Sequence, residues 1–107
     1  MNDQSNLPIS EQYRLIAKQY VDADSAANLL EESKSAVLAK MMVARGDMPV
    51  SRAEMLVKAS DEWTDYITKM VRAREAAALL KAQCEFIRMK FQEWSSENAN
   101  RRAEMRL

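Results

Sequence analysis

Histidine is absent from this chain of 107 residues, glycine and cysteine each occur once, and proline occurs twice. Without imidazole, a common zinc ligand and the usual general base at neutral pH are both missing. Cys84 has no second thiol with which to form a disulfide, a metal pair or a redox couple. One glycine leaves no loop that could cradle a phosphate. The carboxylates are scattered over charged faces and offer no acid–base pair. These absences argue against an enzyme and imply no cofactor and no metal. No apolar run approaches the length of a membrane span, and no signal-like segment opens the chain, so a cytoplasmic setting without membrane attachment is expected.

What is present is helix-forming. Hydrophobic residues make up 48% of the chain and charged residues 30%, a balance typical of long helices with solvated faces. With 16 basic and 16 acidic residues the net charge is zero, so any grip on nucleic acid must come from local clustering. The expected fold is all-α: two long helices in an antiparallel coiled-coil hairpin with a short connecting helix, assembled into a homo-oligomeric helical bundle.

The polar residues 1–10 read as a flexible arm, with Pro8 leading to a cap at Ser10. Residues 11–107 read as one helical-hairpin domain. In its first helix, predicted over 11–45, Tyr13, Ile16, Tyr20, Ala23, Ala27, Leu30, Val37, Met41 and Ala44 follow a heptad. Gly46 sits where a left-handed C-terminal cap is wanted, so the "RGD" of residues 45–47 is a helix end before it is an adhesion motif. The connection covers 46–60, with Ser51 and Glu54 as a capping box for a short helix over 51–59. Ser60 caps the second long helix, and Asp61 and Glu62 favour its positive dipole end.

That helix, predicted over 61–105, has a cleaner heptad. One row is Trp63, Met70, Ala77, Cys84 and Phe91, and the other is Tyr66, Ala73, Leu80, Ile87 and Trp94. Cys84 is therefore a core thiol. Opposite charges suggest a register in which Asp24 meets Arg88, Glu31 meets Lys81 and Tyr13 meets Trp94, with a slip of one heptad as its competitor. Residues beyond about 96 would then project past the hairpin.

Two groups of side chains are left for function. Leu15, Leu29 and Val43 on the first helix and Leu79, Phe86 and Met89 on the second lie off the seam, forming an oligomer or partner interface. Met42, Met48 and Met55 join Met89 as contact candidates. The second group is basic: Arg88, Lys90, Arg101, Arg102 and Arg106, interleaved with Phe91 and Trp94. Cations that track phosphates, beside aromatic faces that take unstacked bases, are what single-stranded nucleic acid requires. By heptad position Phe91 and Trp94 fit a core role better than base stacking, and both readings stay open.

From the "GDMPVS" turn through the restart at Ser60 to "RMKF" and "NANRRAE", the chain resembles UvsY-type recombination mediators of phage and prophage recombination regions. The resemblance spans roughly residues 11–107 and is one of pattern. It implies a non-enzymatic accessory in a bacterial host's cytoplasm that binds single-stranded DNA, forms homo-oligomers, and helps load a recombinase onto strands coated by single-strand-binding protein. Of the basic positions it carries over Arg88, Lys90, Arg101 and Arg102. The neutral net charge departs from the pattern and supports an alternative, a protein-binding helical module that inhibits or adapts a host nuclease or replication protein.

Overall fold

A computed structural model describes residues 6–106, in which four helices follow one another: α1 (Ile9–Glu32), α2 (Lys34–Ala44), α3 (Val50–Lys58) and α4 (Asp61–Met105). The contacts divide the chain into two compact units, and α1 and α4 each contribute to both. Unit 1 comprises the described residues up to Val21 together with those from Ala78, and unit 2 comprises Asp22–Ala77. The first five residues of the expected flexible arm lie outside the described residues.

Unit 2 is built from the C-terminal part of α1, all of α2 and α3, and the start of α4. Its buried side chains are Ala27, Ala53, Val57, Trp63 and Ala77, with Val57 the largest that is fully enclosed. The Trp63 ring stacks on Tyr66 at 5.7 Å between centroids and 23° between planes. α2 packs on α3, joined by a turn whose Gly46 has φ +95°, the left-handed conformation expected of it. Arg45 of the "RGD" tripeptide closes α2, its N–H bonded to the Met42 carbonyl while the Gly46 N–H takes that of Val43.

Ser60 caps α4 as expected: its Oγ accepts the Trp63 N–H at 3.3 Å and donates to the Val57 carbonyl at 2.5 Å. The expected capping box at Ser51 and Glu54 does not form. α3 starts earlier, at Val50, with Pro49 ahead of it at ψ 141° and no side-chain cap. The Pro49 carbonyl takes the N–H groups of Arg52 and Ala53, and Glu54 instead pairs with Lys58 at 2.7 Å, one turn on. Proline fixes φ at a helical value while its extended ψ aims the carbonyl into the first turn, so no hydroxyl is required. At the start of the chain Pro8 acts similarly, accepting from Glu11 and Gln12, and α1 begins at Ile9 in place of a cap at Ser10.

The single helix expected over 11–45 is interrupted at Ser33 (φ −82°, ψ −6°). The Tyr66 hydroxyl of α4 donates to the Leu30 carbonyl, the group that the Lys34 N–H would otherwise take. A side chain inserted into the backbone ladder is a recognised cause of helix breaks, and Ser33 N–H to Leu29 and Val37 N–H to Ser33 carry the chain across this one.

The expected charge register is also corrected. Asp24 and Glu31, assigned to Arg88 and Lys81, both bind Arg74. Its Nη1 meets Asp24 Oδ1 at 2.7 Å, its Nη2 and Nε meet Glu31 at 2.6 and 3.1 Å, and Nη2 also donates to Asn28 Oδ1 at 2.6 Å. The two carboxylates lie one heptad apart, and a planar guanidinium can serve both while an ammonium offers only a point charge. Glu31 is held below the usual carboxylate range by the Arg74 hydrogen bonds, and Arg74 is held above its ordinary range by Glu31 first and Asp24 second.

In unit 1, α1 and α4 run antiparallel. Tyr13 lies against Ile87 and Arg88, one heptad short of the Trp94 assigned to it, which is the slip that competed with the expected register. Cys84 is buried, as its heptad position requires. Among the described residues no helix is long and apolar enough to cross a membrane.

Candidate nucleic-acid interface

The first turns of α1 and the second half of α4 form a cleft of about 370 Å³ in unit 1, lined by Ile9, Ser10, Tyr13, Ile87, Arg88 and Phe91. Arg88 spans one wall. Its Nη2 donates to Tyr13 Oη at 3.2 Å, and its guanidinium carbon lies 6.0 Å from the centre of the Tyr13 ring. This contact, with the Tyr13 hydroxyl the main cause, raises the Arg88 pKa above its ordinary range. Arg88 thus does not form the expected ion pair with Asp24 and stays charged and exposed at the cleft mouth.

Beyond Phe91 the surface continues into a second hollow bordered by Leu7, Pro8, Ile9, Gln12, Lys90 and Trp94. The Gln12 amide bonds back to the Leu7 carbonyl at 2.6 Å, fixing this segment on the α1 start. Residues 7–10, expected to belong to the flexible arm, therefore line the site. Ile9 carried the signal for this, since it lies one heptad ahead of Ile16 and extends the same seam.

Phe91 and Trp94 are neither enclosed core nor free. They are 46% and 52% exposed, with ring centroids 5.9 Å apart and planes tilted by 31°. One side of the pair rests on the N-terminal segment and the other is open to a ligand. Trp63, in a comparable row of the same helix, is 7% exposed. The two aromatic ends of the α4 seam therefore have different surroundings.

The five basic candidates do not share one face. At about 100° per residue, Arg88 and Arg102 fall within about 40° of each other on α4, continuing the side that carries Cys84, and Arg106 follows in the turn just past the helix end. Lys90 and Arg101 fall together with Trp94 about a third of a turn away, beside the stripe of Glu93, Glu97 and Glu104. Lys90, Arg101, Arg102 and Arg106 are exposed and take no part in an ion pair among the described residues. Arg74, which shares the Arg88 heptad row, is committed to Asp24 and Glu31. From residue 99 to its end at Met105 α4 is exposed all round, and it carries cations on two sides with Glu97 and Glu104 beside one of them.

The off-seam apolar set is exposed as well. Leu29, Val43, Leu79, Phe86 and Met89 are 66%, 80%, 62%, 62% and 56% exposed, while Leu15 is half-buried. Of the other methionine candidates Met55 is open, whereas Met42 and Met48 are partly covered. No group of carboxylates and thiols that could hold a metal occurs among the described residues.

No family model matches this chain, and no curated protein or solved structure matches it either. The functional reading therefore rests on the residues themselves.

Proposed function

We propose that the chain is a non-enzymatic DNA-binding accessory of the phage recombination type, acting in a bacterial cytoplasm, which holds single-stranded DNA along the second half of α4 and assists recombinase loading. The observation that supports this most is the half-exposed Phe91–Trp94 pair beside Lys90, followed along the helix by exposed Arg101, Arg102 and Arg106 without ion-pair partners among the described residues. Open aromatic faces take bases at about 1–3 kcal/mol each, and the unpaired guanidinium groups take phosphates. Self-association belongs to the reading, because repeating a patch of few cations raises avidity without new contacts. A recombinase or a single-strand-binding protein is the natural protein partner for such an activity.

The test is fluorescence anisotropy of a labelled single-stranded oligonucleotide. For three or four phosphate contacts, affinity should fall roughly 20- to 50-fold between about 50 and 200 mM salt. The Arg101→Glu, Arg102→Glu variant should lose most of the binding while staying folded, since both side chains are exposed.

A second reading, a protein-binding module acting on a host nuclease or replication protein, is favoured by the exposure of Leu29 and Val43 in unit 2 together with the neutral net charge. It predicts indifference to the arginine changes and sensitivity to Leu29→Glu or Val43→Glu.

A further inference from the structure

On α4, away from the seam with α1, Leu79, Ala82, Phe86 and Met89 recur at spacings of three and four residues. All four are exposed, and the three larger side chains are between 56% and 62% open. These are the two core positions of a second heptad, bounded by Glu75 and Glu93, where the apolar stripe ends. A helix with apolar rows on both sides has one row too many for a two-helix packing.

We propose that this stripe pairs with the same stripe of a second copy, in parallel, as a short coiled coil. The inference rests on the self-association in the reading above and names its face and direction. Charge selects the occupant. In the heptad that puts Leu79 and Phe86 at one core position and Ala82 and Met89 at the other, Glu85 and Lys90 occupy the two flanking positions. They are five residues apart, the spacing that brings such residues together across a parallel pair. Glu85 of each copy meets Lys90 of the other, twice by symmetry. Neither forms an ion pair among the described residues; Glu85 adds only a minor part of the field at Arg88, one turn on, and Lys90 is open. A centred antiparallel pairing brings like flanking positions together, Glu85 against Glu85 of the other copy and Lys90 against Ala76, and gains nothing. Glu75 and Glu93 end the stripe in either direction and do not choose between them.

Two heptads bury an area at the small end of the interface range, so the dimer dissociates at micromolar concentration. Parallel pairing also places the two Arg101–Arg106 segments at one end, and it commits Lys90 to the interface, leaving DNA to the arginines.

Light scattering of the full chain at about 100 µM should give the dimer mass, and Phe86→Glu should give the monomer with unchanged helical content. Glu85→Lys or Lys90→Glu alone should weaken dimerisation roughly tenfold, and the double exchange should restore it. A wild-type monomer, or a dimer indifferent to Phe86→Glu, overturns the proposed face. Single reversals that the exchange fails to rescue overturn the parallel direction. None of these outcomes bears on the anisotropy result at Arg101 and Arg102, so this proposal and the DNA reading fail separately.

Discussion

The two units differ in what they enclose. Unit 2 holds Ala27, Ala53, Val57, Trp63 and Ala77 as buried side chains and adds the Arg74 contacts to Asp24, Asn28 and Glu31. Among the described residues unit 1 encloses Cys84 alone, and its aromatic residues at the seam end stay half open. A chain can carry one heptad from Trp63 to Trp94 of α4 and still have different surroundings at its two ends. Where α2 and α3 supply extra walls the seam becomes core. Where a single helix faces it, the seam becomes a cleft, and side chains that would stabilise the fold elsewhere are available to a ligand.

Substitution of the two seam tryptophans gives the largest test of this contrast. Trp63→Ala should cost about 3–5 kcal/mol in urea unfolding, the range for an enclosed aromatic. Trp94→Ala should cost only about 2 kcal/mol, in keeping with the smaller area it removes from water. If Phe91 and Trp94 take bases, Trp94→Ala should weaken oligonucleotide binding by more than it weakens the fold. Equal stability losses at the two tryptophans would erase the distinction between the units.

Within unit 2, Tyr66→Phe should cost about 1 kcal/mol or less, because the released Leu30 carbonyl can accept the Lys34 N–H and heal the ladder. The Ser33 Cα chemical shift should then move toward the helical value, and an unchanged shift would locate the cause of the break elsewhere.

The smallest effect concerns acid. The Glu31 pKa is lowered in the folded chain, chiefly by its hydrogen bonds to Arg74, so its stabilising contribution is present above the ordinary carboxylate value of 4.5 and is lost as pH falls through the lower folded value. The thermal midpoint should drop on acidification through that window. Glu31→Gln should show a shallower drop, and an identical pH profile would mean that the Arg74 contacts contribute no linked stability.

Much of this was legible in the sequence because period and punctuation are local. The seam of α4, the buried Cys84, the left-handed Gly46 and the Ser60 cap all follow from spacing and residue type. The register was not legible. Complementary charges at heptad spacing fit more than one alignment, and Arg74 serves two carboxylates where separate pairs had been expected. The interruption at Ser33 depends on a tyrosine that is 33 residues away in sequence, beyond any local signal. Residues 7–10 read as arm because proline and polar neighbours resemble a free end, although Ile9 already continued the Ile16 row. The basic candidates were identifiable as a set, but their division between two helix faces emerges only when α4 runs unbroken through them.

Hydrogen exchange of the full chain, with and without a single-stranded oligonucleotide, tests most directly the claim that unit 2 supports the fold while the second half of α4 grips DNA. Slow exchange in unit 2 that is unaffected by the oligonucleotide, with new protection concentrated over residues 88–106, is the predicted result. Protection arising in residues 22–77, or none anywhere, would contradict it.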